Sequence, residues 1–479
     1  MRRSTFAFIA GALVLASACV DDVTITVTPL SPTDTTTPSA TTRPGSTTTE
    51  PEQSSSTNSP STPTDTTPSE PVPLATVIAD IQSFWSDNLP GVFDQKYTPL
   101  PDARIVAMEP TTPSLRCDGE RVRYRDVQDN AFAAPCSEGT TVVYDARNLL
   151  PSLEDRFGPA APAVVLAHEW GHVAQFQGGA PIDRVATYVV EQQADCFAGA
   201  WAKGSGERLG GVFADAGSLD GLIGALLDFR DAPGDNVLAA DAHGSGFDRV
   251  RAFQEGYEKG VGECADYLTN PPPTTQIPFT EADFATQGNL DFDAMLPLVI
   301  GDLNYFYGKF LPGFTPITEL VALGRAGESQ STCNKTVVTA DDLVVRYCKP
   351  EGTIVYNDDL IQELHTEIGD NATGTLLGLA WAEAARQFAG ETPDSSGALD
   401  VLRQQACLTG GWFQSVLTND GSDDTRDPFS FSAGDLDEAV SVFVQFGSQG
   451  RLSEPGAVFS TVAALRQGVT GGPESCGVT

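Results

Sequence analysis

An internal repeat constrains how this chain can fold more than any other feature. Val77-Ile78-Ala79-Asp80-Ile81, with Phe84-Trp85 and Leu89-Pro90-Gly91, recurs as Val299-Ile300-Gly301-Asp302-Leu303, with Phe306-Tyr307 and Leu311-Pro312-Gly313. Gly139-Thr140 through Val143-Tyr144-Asp145 returns as Gly352-Thr353-Ile354-Val355-Tyr356-Asn357. The ten residues Gln192-Gln193-Ala194-Asp195-Cys196-Phe197-Ala198-Gly199-Ala200-Trp201 return as Arg403-Gln404-Gln405-Ala406-Cys407-Leu408-Thr409-Gly410-Gly411-Trp412. One folding plan is therefore used twice, at 74–270 and at 286–479, with 271–285 as a linker around Pro271-Pro272-Pro273.

The cysteines obey the repeat. Setting aside Cys19, four fall in each copy: Cys117, Cys136, Cys196 and Cys264, then Cys333, Cys348, Cys407 and Cys476. Pairing within each copy is expected to follow one scheme, and the favoured one joins Cys117 with Cys136, Cys196 with Cys264, Cys333 with Cys348 and Cys407 with Cys476. An even set of cysteines in an exported chain fits an oxidising exterior.

Export is suggested by Arg2-Arg3 followed by the apolar run 6–18, which is too short for a permanent membrane helix and suits a signal peptide over 1–18. Ala16-Ser17-Ala18-Cys19 is similar to the site where bacterial lipoproteins are cleaved and lipidated, so Cys19 is the expected anchor to the outer face of the cell membrane. Ordinary secretion with cleavage near Ala18 is the alternative. Residues 19–73 are mostly Thr, Ser and Pro. They lack the apolar surface needed to offset the entropy of ordering and are expected to form a disordered tether. The formal net charge of -36 argues against nucleic acid as a partner and chiefly favours solubility.

The chemistry-bearing stretch is Leu166-Ala167-His168-Glu169-Trp170-Gly171-His172, an H-E-x-x-H pattern in a chain with four histidines. On a helix, positions i and i+4 share a face, so His168 and His172 can grip one metal ion while Glu169 stands beside it. Two imidazoles leave zinc short of ligands, and a third protein ligand with one position open to water makes a catalytic site. Downstream, Glu191 and Asp195 are again four apart: one can bind metal while the other orients a ligand imidazole.

These blocks, His168-Glu169-Trp170-Gly171-His172-Val173-Ala174-Gln175, then 191–201, then His243-Gly244-Ser245 leading into 247–253, resemble the neutral zinc metallopeptidase family of bacteria over about residues 130–260. The family often has a further histidine directly after the motif, where this chain has Val173. The E-x-x-x-D spacing resembles that of thermolysin-like peptidases, which implies Glu191 as third ligand and Asp195 as the residue orienting a histidine. It also implies Glu169 as general base and His243 as a donor to the tetrahedral oxyanion, a brace for the helix start being the other role open to His243.

The fold class so implied is α+β: two tandem zincin-like domains, mainly helical with a small sheet each. The motifs fall on a strand at 140–145 and helices at 161–177, 182–202 and 247–259, the last opened by a capping box of Ser245 and Asp248. The stretch 142–145 is expected to be a sheet edge on which a peptide can lie.

The second copy has lost the ligands. Aligned on Tyr356 and Gln387-Phe388, the counterparts of His168 and His172 fall among Ala380-Trp381-Ala382 and Ala384-Ala385. Glu191 and Asp195 become Leu402 and Ala406, and His243 maps near Pro455. One zinc ion, in the first copy, is expected, while His365 is a surface or packing residue. Two functions follow: an exported, lipid-anchored zinc peptidase acting on a peptide or protein substrate, or a non-catalytic envelope-binding lipoprotein built on the same fold. An intact Glu169 favours the enzyme, because a structural metal needs no general base.

Overall fold

Each copy opens with a long helix, followed by a small sheet and a stack of helices. In the computed structural model, which describes residues 72–209, 216–391, 397–418 and 429–478, the first copy runs α1 (Leu74–Phe93), β1 (Ile105–Met108), β2 (Leu115–Cys117), β3 (Glu120–Val122), β4 (Ala131–Cys136), β5 (Gly139–Asp145), α2 (Leu149–Phe157) and α3 (Ala161–Gly178). It continues with α4 (Thr187–Leu209), α5 (Ala216–Asp228), α6 (Gly246–Lys259) and α7 (Val261–Ala265). After a short α8 (Asp283–Thr286), the second copy runs α9 (Phe292–Phe310), β6 (Leu320–Leu323), β7 (Ser331–Cys333), β8 (Thr336–Val338), β9 (Val345–Cys348), β10 (Thr353–Asn357) and α10 (Asp358–Glu367). Helices α11 (Asp370–Phe388), α12 (Ala398–Thr418), α13 (Asp435–Ser448) and α14 (Ala457–Gly471) complete it. The expected signal peptide, Cys19 and the tether up to residue 71 lie outside the described residues. No described helix is long and apolar enough to cross a membrane.

The sheets repeat as the sequence does. In the first, the order is β1-β5-β4 with β1 parallel and β4 antiparallel to β5; in the second it is β6-β10-β9 with the same senses. Val142 and Val143 are both buried although they point to opposite faces, as suits a central strand covered on each side. The expectation of an edge at 142–145 is therefore corrected: β5 is paired on both flanks, and the edges are β1 and β4. The second motif helix also differs, starting at Thr187 because Ile182–Arg184 forms a 3₁₀ turn after Pro181. It runs past Ala202 to Leu209, since Ser205 and Gly206 are buried against the core and hold the extra turns.

All four expected disulfides are present: Cys117 with Cys136, Cys196 with Cys264, Cys333 with Cys348 and Cys407 with Cys476. The longer bridge in each copy ties down α4 or α12, and those helices show the repeat most clearly. A Cβ built on Gly199 would lie 1.9 Å from the Phe253 carbonyl oxygen, and one on Gly256 would lie 1.8 Å from that of Cys196. Gly410 and Gly468 stand in the same relation to Leu465 and Cys407, at 2.1 and 1.8 Å. Backbone thus rests directly on backbone between α4 and α6 and between α12 and α14, a contact open only to glycine. Trp201 Nε1 donates to Asp80, and Trp412 Nε1 donates to its repeat Asp302.

The two copies share one hydrophobic core that includes Trp85, Trp170 and Phe253 of the first and Trp381, Trp412 and Phe443 of the second. Their contact is reciprocal. Asp220 on α5 accepts from the backbone N–H of Gly456 and Phe459, at the start of α14 (2.9 and 2.8 Å). Asp437 on α13 accepts from Gly246 and Phe247, at the start of α6 (3.0 and 2.7 Å). Each copy supplies a carboxylate to the other's orphan helix N–H groups, where a negative charge also meets the helix dipole favourably.

Candidate metal centre

Helices α3 and α4 carry the motif residues, and Gly171 lets them approach: a Cβ there would lie 2.9 Å from the Ala194 Cα. The approach brings three donors together. His168 Nε2 lies 3.2 Å from His172 Nε2, and Glu191 Oε2 lies 3.1 Å from the first and 3.4 Å from the second. For zinc–nitrogen bonds of about 2.05 Å, the edge of a tetrahedron is roughly 3.3 Å. The three separations match that edge.

Tautomers reinforce the fit. His168 Nδ1 is 2.8 Å from Asp195 Oδ1, and His172 Nδ1 is 2.8 Å from Gln175 Oε1. The carboxylate cannot donate. The Gln175 amide is oriented by its Nε2, which donates to Val190 O and Gln193 Oε1 at 2.9 and 3.0 Å. Both Nδ1 atoms are therefore the donors in their hydrogen bonds, and in the neutral rings both Nε2 lone pairs face one point beside the Glu191 carboxylate. Such an arrangement suits a cation, and the mixed nitrogen and oxygen set suits zinc.

Asp195 is fully buried, and Arg249 on α6 clamps it with Nε to Oδ2 at 2.8 Å and Nη2 to Oδ1 at 2.9 Å. Burial would raise the Asp195 carboxyl, but Arg249 and then His168 hold it below its ordinary value. Burial disfavours charge on His168, yet Asp195 and Glu191 outweigh it and lift the ring to about 10. Glu191 is likewise pushed up by burial and drawn well down by the two histidines. Glu169 is buried and raised, first by burial and then by Glu191, against the pull of His168, His172 and His243.

His243 sits in the loop before α6 with half its side chain exposed (50%) and Nδ1 3.5 Å from Asp231 Oδ1. Its N–H and that of Gly244 also donate to Asp231, at 2.9 and 2.7 Å. It faces Glu169 electrostatically and is not among the three convergent donors. Ser245 caps α6 by accepting from Asp248 N at 3.2 Å. The Asp248 carboxylate does not close a capping box; it binds Thr274 and Thr275 of the linker at 2.9 to 3.0 Å.

In the second copy the register is one residue away from the sequence alignment. Trp170 and Trp381 both donate Nε1 to the first helix's neighbourhood, to Tyr97 and Asn304. Gln175 and Arg386 both donate to a repeated glutamine, Gln193 and Gln404. His168 and His172 therefore correspond to Leu379 and Glu383. Arg386 is buried and paired with Glu383 and Glu391 at 2.9 and 2.7 Å, so an ion-pair network fills the place of the donors. Asp195 becomes Ala406, and Arg249, counted from the glycine pairs, becomes Thr461. The acid and its clamp are lost together.

Arg249, Gln175, Asp231 and Asp437 had no role in the reading of the sequence. Only Arg249 left a signal there, as half of that paired loss. No family model matches the chain, and neither does any curated protein or solved structure.

Proposed function

We propose that this protein is an exported zinc-dependent peptidase whose first copy carries the chemistry. The observation that supports it most is the convergence of His168 Nε2, His172 Nε2 and Glu191 at tetrahedral-edge separations, with Glu169 buried alongside. Zinc bound there would supply a Lewis acid for the scissile carbonyl and a water acidic near neutral pH. Glu169 accepts the proton of the attacking water and passes it to the amide nitrogen as the C–N bond breaks, leaving a carboxylate and an amine. Burial raises its carboxyl above the ordinary value, which favours taking up the proton that it then returns.

Asp195 and Arg249 keep His168 in the tautomer that presents Nε2. His243, half exposed in its loop and held by Asp231, is free to donate to the oxyanion of the tetrahedral intermediate. In this reading an extended peptide adds to the edge strand β4, and the support is that β4 is a sheet edge packed against α3. The four disulfides agree with an oxidising compartment outside the cytoplasm, and the Cys19 anchor belongs to the same reading.

The test is Glu169→Gln, assayed with a mixture of unstructured peptides read by mass spectrometry. The expected loss of cleavage is about 10²–10⁴-fold, with zinc content unchanged at about one per chain. Cleavage that survives the substitution sinks this role for Glu169. A wild-type chain that holds zinc and cuts nothing is a binding protein instead.

A further inference from the structure

A second cluster of donors lies outside the candidate metal centre, in the copy that lost its ligands. Carboxylate oxygens of Asp370, Asp435 and Glu438 lie within 4.8 Å of one another. Asp370 opens α11, and the other two lie in the first turn of α13. Asp370 and Asp435 are each only 2% exposed. The partners found for these oxygens are neutral: Leu290 N–H donates to Asp370 Oδ2 at 2.8 Å, and Asn371 N–H to Glu438 Oε2 at 2.8 Å. Ser432 donates N–H and Oγ–H to the two oxygens of Asp435, at 2.9 and 2.7 Å. No Lys or Arg pairs with the three among the described residues. His365 lies near Asp370, and its ring is taken up by Thr373 Oγ1 and Leu290 O at 3.0 and 2.9 Å.

Neutral donors orient carboxylates without cancelling their charge, and like charges within 4.8 Å of one another in a buried site repel. Asp370 Oδ1 supplies a second, independent sign. It is buried with no hydrogen-bond partner among the described residues, although it belongs to the residue at the centre of the cluster. The backbone has also made room. Gly369 has φ 140°, and a Cβ on it would fall 2.0 Å from Glu438 Oε1, so only glycine admits that carboxylate. Asp435, Ser432 and Gly434 line a crevice shared with Asp231 and Ser245 of the first copy and Thr275 of the linker, so one of the three carboxylates borders it.

We propose that Asp370, Asp435 and Glu438 bind a hard divalent cation, calcium above all, which fixes the first turn of α13. An all-oxygen, all-carboxylate donor set excludes the preferences of zinc and copper and suits calcium or magnesium. Calcium accepts irregular geometry and more ligands than the protein supplies here, the remainder being water; magnesium demands a regular octahedron. The consequence reaches the other copy. Asp437 lies between Asp435 and Glu438 and caps α6, the helix that carries Arg249. A cation at the cluster thus holds the carboxylate that holds the helix that clamps Asp195. The site stands on its own donors and does not depend on the first copy being a peptidase.

The experiment uses the full chain, stripped with chelator, and titrates calcium chloride while Tm and bound metal are measured. About one calcium per chain is expected, with Kd of about 10⁻⁴–10⁻³ M as in extracellular modules, and Tm rising by about 3 °C at a hundredfold excess over Kd. The double variant Asp435→Asn, Glu438→Gln is expected to lose that response. In chelator it is expected to melt no lower than wild type, because isosteric amides remove the repulsion. His172→Ala, which removes a donor of the other centre, is expected to keep the full calcium response. Two results overturn the proposal: no binding of calcium, magnesium or manganese at 10 mM (about ten times the weakest expected Kd), which means that the three carboxyls share protons, or an undiminished response in the double variant.

Discussion

Asp195→Asn separates the two tasks of the residue, bracing the fold and orienting His168. Arg249 has a side chain only 5% exposed, and both of its nitrogens nearest Asp195 are within 2.9 Å of carboxylate oxygens. An amide of the same shape removes the charge and leaves a buried guanidinium without its counter-ion, which costs about 3–5 kcal/mol. For a unit of roughly four hundred residues, a melting entropy of about 2.1 cal/mol/K per residue converts this to about 4–6 °C in Tm. The same amide can donate to His168 Nδ1 and favour the wrong tautomer, so zinc affinity is expected to fall about 10–100-fold. Pairing the change with Arg249→Met removes the stranded charge. The double variant is expected to recover at least 2 kcal/mol relative to additivity, while its zinc affinity stays low. Calorimetric melting and zinc competition against a chromogenic chelator measure both quantities. A double variant whose coupling is within about 0.5 kcal/mol of zero, or a single variant with wild-type zinc affinity, refutes the division of labour argued here.

Zinc loading is expected to release a proton, because metal-free His168 is lifted to about 10 and still carries one at neutral pH. Calorimetry at about pH 8.2 (roughly midway between the ordinary histidine value and the raised one) in two buffers of different ionisation enthalpy measures this; identical heats in both would show that the ring is already neutral. By the same sign, this histidine stabilises the metal-free fold below its unfolded value near 6.5, and that stability is lost as pH rises through about 10. In the helix pair, Gly256→Ala is expected to destabilise by about 1–3 kcal/mol. A helix interior would otherwise gain about 1 kcal/mol from alanine, but here the new Cβ meets the Cys196 carbonyl oxygen at 1.8 Å. A raised Tm in that variant would mean that α4 and α6 separate freely.

Local signals in the sequence carried the repeat, the disulfide pairing, the coarse α+β class and the identity of the motif helices. Cysteine spacing, a five-residue motif and apolar periodicity are all short-range or directly repeated, so one chain displays them. What it could not display is long-range. Whether 142–145 is an edge or a centre depends on β4 and β1, which carry weak patterns of six and four residues. The register of α11 against α3 slipped by one because Gln387-Phe388 matches Gln175-Phe176 in letters, whereas the hydrogen bonds match Gln175 with Arg386. Arg249 sits 54 residues from Asp195, and Asp437 sits 191 from Gly246. Nothing local marks either partner.

The second copy explains its own retention through these long-range contacts. A duplicated domain whose ligands are gone is free to drift unless its surface carries the first, and here the surface does so by name. Asp437 caps α6, Asp220 caps α14 in return, Gln254 donates to Phe459 O at 2.9 Å, and Arg466 pairs with Glu258 at 2.6 Å. Helix α6 therefore takes its N-terminal cap from the second copy and presses its backbone on α4, while Arg249 in its second turn fixes Asp195 and so His168. The second copy has Ala406 and Thr461 in place of Asp195 and Arg249, so it lacks the acid and its clamp and keeps the glycine contact and the reciprocal cap. Leu379 and Leu402 stand in the second copy where the first has His168 and Glu191, while the contacts that place the helices are kept in both.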